Sequence, residues 1–417
     1  MNNPYFSEIK NRFGFGCMRL PLLPNGEVDL DEFSRMIEAY FDAGFNYFDT
    51  ARGYLDGKSE TAIKACLTSK YPREKYILTD KLTRDYFKCE ADIRPLFEKQ
   101  LEACGVDYFD FYLMHGQVRG NYDYFKSNRA YETILQLKEE GKFRHFGISF
   151  HGTAEFLTQI LTEYPQIEVV LIQHNYVDYE DPAVQSKRLI EVCRKFGKPV
   201  LVMEPIKGGN LIRLPEEAQQ IFDALHGGSN ASYALRFAAT DDQVMMVLSG
   251  MSNLEQMKDN ISFMGDNFKP LNEEELAAVK KVCKIFRAQD MIACTACRYC
   301  TAGCPKHIRI PDIFACVNAK KVFNDWNQDF YYSAVVTGEG DRAKASDCIK
   351  CGQCEAACPQ QLPIRKLLEE AAALFEKKAA AQSLPKSDVT AVLIRDLTFG
   401  GNLFIINLSI LLKEDLP

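Results

Sequence analysis

The sequence predicts an α/β chain: a closed (β/α)8 barrel followed by a small, mainly helical domain. Three observations predict it. From residue 13 to about residue 263, short apolar runs alternate with amphipathic stretches in the rhythm of strand–helix units. There are eight such runs, a number that suits a closed barrel better than an open sheet. Near residue 290 the rhythm stops and cysteines crowd together. With 417 residues, each part can bury a core of its own. The expected division is 1–289 for the barrel, 290–375 for the cysteine-rich domain and 376–417 for a tail.

The strand candidates are FGFGCMRL (13–20), FNYFDT (45–50), KYILTD (75–80), FDFYLMH (109–115), FRHFGIS (143–149), EVVLIQH (168–174), PVLVME (199–204) and VMMVLSG (244–250). Between them DEFSRMIEAYFDAG, ADIRPLFEKQLEACG, AYETILQLKEEGK and PAVQSKRLIEVCRKFG read as helices, several ended by a glycine as a helix C-terminus requires. The GFG at 14–16 does not open a dinucleotide fingerprint, because the hairpin residues Pro24, Asn25 and Gly26 follow it instead of a helix. A barrel of this kind gathers its site at the C-terminal ends of its strands. Polar residues stand there. Asp49 ends the second candidate strand, Lys81 follows the third, and His115 ends the fourth. Ser149 closes the fifth, Gln173 and Asn175 the sixth and Glu204 the seventh, while Tyr54 lies in the loop after the second. Singly, each has an ordinary reading as a solvated lysine, a helix cap or a hydrogen-bonded core histidine. Their recurrence at successive strand ends points to a site.

NEEELAAVKKVCKIFRAQ (272–289) has helical periodicity and leads straight into the cysteines, so the two parts are expected to pack together. CTACRYCTAGCP (294–305) and CIKCGQCEAACP (348–359) then repeat one arrangement of four cysteines and a proline. Two residues between cysteines let one turn of chain aim three thiolates at a single inorganic cluster, and in the bacterial ferredoxin run the fourth cysteine serves the other cluster. The reading is two 4Fe-4S clusters, one on Cys294, Cys297, Cys300 and Cys358, the other on Cys348, Cys351, Cys354 and Cys304. CxxC pairs also build zinc sites, but zinc takes four ligands from what are typically two knuckles, whereas each run here carries three close cysteines and a fourth before proline. Nothing indicates export, so disulfides are not expected. Cys17, Cys66, Cys89, Cys104, Cys193, Cys283 and Cys316 read as ordinary thiols.

The long spacer between Cys304 and Cys348 is rich in helix signals, which favours a helical ferredoxin-like iron-sulfur domain over the compact form. IRKLLEEAAALFEKKAAAQ (364–382) is a further helix, and LFIINLSILL (403–412) is too short to span a bilayer and reads as a packed tail or an oligomer contact. The formal net charge of -7, without a basic block, excludes nucleic acid as a partner. The N-terminus lacks an apolar signal core and a twin-arginine pair, and no run is long enough for a membrane span, so a cytoplasmic protein is expected.

DTARGYLDGKSE (49–60), the lysine of TDKL, the histidine of YLMHG, the GKFRHFGIS run and GMSNLEQMKDN (250–260) together resemble the aldo/keto reductases over residues 13–290. With the cysteine runs, the chain is similar to the branch of that family bearing a C-terminal ferredoxin-like domain with two four-iron four-sulfur clusters. The resemblance implies a TIM barrel that transfers hydride reversibly between a nicotinamide, NADP or NAD, and a small carbonyl or alcohol substrate. It implies a catalytic tetrad of Asp49, Tyr54, Lys81 and His115. Chemistry explains the grouping. A carbonyl that accepts hydride becomes an alkoxide in need of a proton, and a tyrosine near pKa 10 is a sluggish donor. A lysine ammonium beside the phenol is expected to lower that pKa, an aspartate to hold the lysine's charge, and the histidine to orient the carbonyl.

The same resemblance implies that Ser149 and Gln173 hold the carboxamide, that Pro205, Ile206, Lys207 and Gly209 lie along the pyrophosphate, and that Gly250, Ser252, Gln256 and Asn260 face the adenosine end. A helix opening near Asn253 can present N–H groups to phosphate. Three departures stand out. Phe150 follows Ser149, Met203 replaces a stacking aromatic, and Ser252 stands where an arginine usually meets a 2′-phosphate, so NAD competes with NADP. Hydride moves two electrons and clusters move one. Either a flavin in or near the barrel or a partner supplies the gate between them, or the clusters are structural or docking devices; a ferredoxin or flavoprotein is the expected electron carrier. The alternative function is an electron-transfer protein whose barrel binds a partner or a flavin. Substrate choice is expected to lie in loops 116–130 and 208–229.

Overall fold

The computed structural model describes residues 5–288, 291–292, 294, 296–323, 327–338 and 342–376. Eight parallel strands close into a barrel in sequence order. They are β1 (Phe13–Gly16), β2 (Tyr47–Asp49), β3 (Ile77–Leu82), β4 (Phe109–Gln117), β5 (Phe143–Phe150), β6 (Val169–Gln173), β7 (Val200–Met203) and β8 (Val244–Gly250). Register sets the site: Gly16 pairs with Asp49 on one side and Gly250 on the other, placing all three at one level of the C-terminal rim. Several strand ends differ from the sequence expectation; β4, for one, runs on to Gln117, so His115 lies inside that strand instead of ending it. β1 stops at Gly16 because Cys17–Arg19 coils into a 3-10 turn. β3 runs on through Leu82, paired with Met114 of β4, so Lys81 lies inside the strand instead of after it.

Tyr47, Phe111, Leu113, Val169, Leu171, Leu201, Met245 and Leu248 form one buried apolar cluster within the barrel. Crowding there explains Gly147: an added Cβ would lie 2.5 Å from both Leu113 Cδ2 and Val169 Cγ2. Overpacking of this kind costs ~1–3 kcal/mol. Gly147→Ala is therefore expected to lower the thermal midpoint of anaerobically purified protein by several degrees, and an unchanged midpoint would show that the neighbouring side chains yield.

The outer helices begin and end on local signals. Asp29 Oδ1 accepts from Glu32 N–H at the start of the helix Leu30–Asp42, and the helix Glu90–Cys104 stops at Gly105, φ +67°. The helix expected from Pro182 starts only at Ser186. Asp181 Oδ1 takes the N–H groups of Ala183 and Val184 into a turn, and Gln185 is left-handed at φ +59°.

After the barrel, the helix Glu273–Ala288 buries Val279, Val282, Cys283 and Phe286 against Tyr176, Phe222 and Tyr233. The cysteine-rich region is helical, with Ile310–Phe323 and Ile364–Phe375 its longest elements and a π-helical turn at Tyr331–Val336. Val118, Ala183 and Val184 from the barrel rim share an apolar cluster with Ile313, Phe314, Val317 and Tyr331. The described residues up to Glu376 therefore make one compact unit. The far end of the 364–382 helix, the 403–412 run and the rest of the tail lie outside the described residues. Among the described residues, no helix is long and apolar enough to cross a membrane.

Candidate functional site

At the end of β2 the chain turns through Ala51–Tyr54 and then passes three successive left-handed residues, Leu55, Asp56 and Gly57, at φ +52°, +55° and +86°. Non-glycine residues rarely hold this conformation without support. The Arg52–Glu60 ion pair, 2.5 Å long, braces the loop on the far side. Tyr54 is thereby set beside Lys81. An ammonium has three N–H donors, and those of Lys81 meet Asp49 Oδ1 at 2.7 Å, the Thr50 carbonyl at 2.7 Å and the Tyr54 hydroxyl at 3.2 Å. All three donors are committed, so the ammonium cannot turn away from the phenol. His115 packs edge-on to Tyr54 with ring centroids 6.0 Å apart, and its Nδ1 is 2.7 Å from Thr83 Oγ1.

Electrostatics inside this cluster differ from the sequence expectation in one respect. Burial pushes the Tyr54 phenol above its ordinary range, and the opposing pull of Lys81 does not overcome it. The expected lowering of the phenol is therefore corrected: the partly buried ring loses more by desolvation of phenolate than the lysine returns. Burial alone would weaken the Lys81 charge, but Asp49 and then Tyr54 more than offset it and hold the ammonium above its ordinary value. Burial, helped by Lys81 and His151, drives His115 well below the usual imidazole range. At neutral pH the site thus presents a protonated phenol, a charged lysine and a neutral imidazole.

A cavity of about 230 Å3 opens over Asp49 and Tyr54, with Lys81 and His115 outside its lining. Its lining includes Asp49 and Tyr54 on one side, Pro205, Ile206 and Gly209 on another, and Gly250, Ser252 and Gln256 on a third. Met203 also faces it. Gln256 Oε1 accepts from Ser252 N–H at 2.8 Å, and Asn253 Oδ1 caps the helix Leu254–Met264. Other residues expected at the nucleotide lie elsewhere. Ser149 is buried on β5. Gln173 and Lys207 are both turned onto Asp178, with Gln173 Nε2 to Oδ2 and Lys207 Nζ to Oδ1 each 2.7 Å. Asn260 is buried and donates to Ser249 Oγ at 3.1 Å.

Several participants escape sequence reasoning. Thr83 fixes His115 from the chain just beyond β3. Arg19 and Glu204 meet at 3.4 Å across the cavity, from the ends of β1 and β7. Glu60 and Asp80 lie buried behind Lys81 and share Gln100, whose Nε2 is 3.3 Å from Glu60 Oε1 and 3.0 Å from Asp80 Oδ1. Burial raises both carboxyls, that of Asp80 strongly. Of these, Glu204 stands at a predicted strand end and Glu60 closes the DTARGYLDGKSE segment, whereas Thr83, Arg19, Asp80 and Gln100 carry no motif.

In the cysteine-rich region Cys294, Cys297, Cys300 and Cys358 line one cavity, closed by Ile310, Phe314 and Ile364. Cys304, Cys348, Cys351 and Cys354 line a second, closed by Ile308, Ile310 and Leu368. The fourth cysteine of each run thus faces the other run's cavity. The two runs also share a backbone pattern. Ala296 and Arg298 (φ +52° and +64°) match Lys350 and Gly352 (φ +59° and +79°), and His307 (φ +54°) matches Gln361 (φ +53°). Left-handed residues at such intervals turn successive N–H groups into a concave nest that suits an anion, including a thiolate-ligated cluster. Four thiols, an amide nest and apolar walls fit a cubane cluster. Asp312 anchors this frame through bonds of 3.0 and 2.8 Å from the Arg298 guanidinium and an ion pair of 2.8 Å with Arg309.

Known proteins resemble this chain along its whole barrel. The aldo/keto reductase family model matches residues 12–284, and a 4Fe-4S dicluster domain matches residues 293–363. An aldo-keto reductase of Mycolicibacterium smegmatis is 28% identical over 189 residues, 45% of this chain and 64% of that protein, so the chain spans less than two thirds of that relative's length. The NADH-specific methylglyoxal reductase of Escherichia coli is 23% identical over 304 residues, 62% of this chain and 90% of that protein. An aldo-keto reductase from Bacillus halodurans, solved in its holo form, aligns with a TM-score of 0.54 at 25% identity, covering 66% of this chain and 92% of the other. The barrel closure, the lysine held between aspartate and tyrosine and the match across residues 12–284 lead to one conclusion: the chain belongs to the aldo/keto reductase family and carries a 4Fe-4S dicluster domain behind its barrel.

Proposed function

We propose that the barrel interconverts a small carbonyl compound and its alcohol with NADP or NAD, and that the cysteine-rich region, residues 290–375, serves one-electron carriers through two 4Fe-4S clusters. The observation that carries this reading is the placement of the Lys81 ammonium between Asp49 and the Tyr54 hydroxyl beneath the cavity. Lys81 donates to the Tyr54 oxygen, which leaves the phenolic proton to point at a substrate oxygen. Tyr54 would give that proton as the carbonyl oxygen gains charge, and the fixed ammonium would stabilise the phenolate left behind. Asp49 keeps the lysine charged. His115, neutral and held by Thr83, would orient the carbonyl with its other ring nitrogen.

A nicotinamide bound here would supply or accept the hydride. Pro205, Ile206, Gly209, Gly250, Ser252 and Gln256 would hold it, with the capped start of the helix Leu254–Met264 near its phosphates. Ser252 offers no cation to a 2′-phosphate, which supports NAD beside NADP, and the Escherichia coli relative is named as NADH-specific. The two sets of four cysteines would hold the clusters, whose chemistry is single-electron transfer. Such clusters suit the reducing cytoplasm. A flavin, bound here or on a flavoprotein partner, would then have to join the one-electron and hydride halves, and a ferredoxin could serve only the one-electron side.

The test is anaerobic protein with NADPH or NADH and a panel of small aldehydes and ketones. Carbonyl-dependent nicotinamide oxidation is expected, persisting after chelation of the clusters. Its absence, with cluster absorbance still bleached by a one-electron donor, would instead leave an electron-transfer protein with an idle barrel. Bleaching by NADPH only after added flavin would identify the missing gate.

A further inference from the structure

Gln173 ends β6 with both of its amide atoms engaged. Its Nε2 donates to Asp178, and its Oε1 accepts at 2.9 Å from the hydroxyl of Tyr331, a residue of the spacer between the two cysteine runs. The donor on one side and the carboxylate on the other fix the amide's orientation. Asp178 gathers three donors, each at 2.7 Å: Gln173 Nε2, Asn175 Nδ2 and Lys207 Nζ. Asn175 also donates to the Glu204 carbonyl at 3.1 Å. A continuous polar chain therefore runs from Tyr331 through Gln173 and Asp178 to the segment 204–209.

That segment needs support. Glu204 and Lys207 are left-handed at φ +54° and +48°, conformations that persist when surroundings over-determine them. It also lines the cavity through Glu204, Pro205, Ile206, Gly208 and Gly209. The cysteine-rich region holds the other end of the chain. Phe330 and Tyr331 pack on His151 with centroids at 5.3 and 6.3 Å, and the ring of Phe323 lies 5.2 Å from Lys207 Nζ. Phe323 ends the same helix whose Ile310 walls both cysteine cavities.

We propose that Tyr331 is a positioning residue for the nucleotide end of the barrel: by holding Gln173, and through Asp178 the segment 204–209, the cysteine-rich region completes the groove that a nicotinamide nucleotide occupies. The proposal rests on the reading of this groove as a nicotinamide site. It explains why Gln173 and Lys207, expected to touch nucleotide directly, are turned onto Asp178 instead.

The experiment compares wild type, Tyr331→Phe and Tyr332→Phe as full-length, cluster-loaded proteins. Tyr332 is a control from the same turn, since its hydroxyl bonds inside the cysteine-rich region, to Glu376 and the Ala345 N–H. Two quantities are read: KM and kcat for NADPH and NADH, and amide hydrogen exchange of residues 173–178 and 204–211 without nucleotide. Tyr331→Phe is expected to raise nucleotide KM about five- to twentyfold, the scale of one lost buried hydrogen bond. Its kcat and its iron and sulfide content should hold, exchange in both segments should quicken, and Tyr332→Phe should match wild type. Unchanged exchange or unchanged KM in Tyr331→Phe overturns the proposal, as does an equal effect from Tyr332→Phe. If wild type binds neither nucleotide, the groove reading falls, and with it the proposed role; exchange still shows whether Tyr331 holds the segment.

Discussion

Tyr54→Phe is expected to lower kcat for carbonyl reduction by about 10²–10⁴-fold, the range that a positioned proton donor contributes. Nucleotide affinity should stay within twofold, because the ring remains and the hydroxyl faces Lys81. Stopped-flow reduction at saturating nucleotide, beside a nucleotide titration by fluorescence, separates the two quantities. The raised phenol adds a pH signature. A group whose pKa lies above its ordinary value stays protonated through neutral pH, so reduction should be flat there and fall only as alkaline pH strips the phenol. The reverse reaction needs phenolate and should rise over that range. A Tyr54→Phe enzyme with unchanged kcat, or a reduction rate that already falls near neutrality, would remove Tyr54 from the role of acid. Lys81→Met should give a smaller loss in kcat, since the phenol stays in place while the charge that steadies its anion is gone. It also leaves Asp49 buried without its cation, so its folded yield must be checked first.

The barrel was legible because its physics is periodic. Each parallel strand, covered on both faces, reads as a nearly continuous apolar run, and several covering helices carry a side-chain cap or a glycine stop. Polar residues at strand ends then stood out as exceptions, which is why Asp49, Lys81 and His115 could be picked from sequence before any contact was known. The errors share a different cause. That Lys81 lies inside β3 depends on how far β4 continues to offer it pairing partners, a fact held by residues some thirty positions away. Burial depth is likewise invisible in one dimension, so the lysine was expected to dominate the Tyr54 phenol when desolvation does. Gln173 stands at its predicted strand end and Lys207 in its predicted loop, but Asp178 takes both side chains and Tyr331, 158 positions beyond Gln173, holds the glutamine's oxygen. Contacts between the barrel and the spacer of the cysteine runs follow no repeat, and no spacing rule could have announced them.

The cysteines carry the other large expectation, the loss of one cluster without the other. Cys300 and Cys358 come from different runs yet line one cavity, while Cys300 and Cys304 share a run and line different cavities. If thiolates ligate as the cavities group them, the double variant Cys300→Ser/Cys358→Ser should keep one cluster, about four irons per chain. Cys300→Ser/Cys304→Ser removes the same number of thiols but takes one ligand from each site, and should keep neither. Iron and acid-labile sulfide counts on anaerobically purified protein decide this, and zinc measured in the same samples tests the alternative metal directly. Equal iron in the two double variants would reject the crossed assignment; more iron in Cys300→Ser/Cys304→Ser would show that each run serves its own site. Because Ile310 walls both cavities, collapse of one site could disturb its neighbour. Comparing two variants that lose equal numbers of cysteines separates that shared packing from ligand identity. The barrel offers an internal control: its core is built from clusters of residues separate from the cysteine cavities, so its circular dichroism should survive in both variants. Any change in nucleotide KM that accompanies cluster loss would then travel through Tyr331 and Phe323, which touch Gln173 and Lys207.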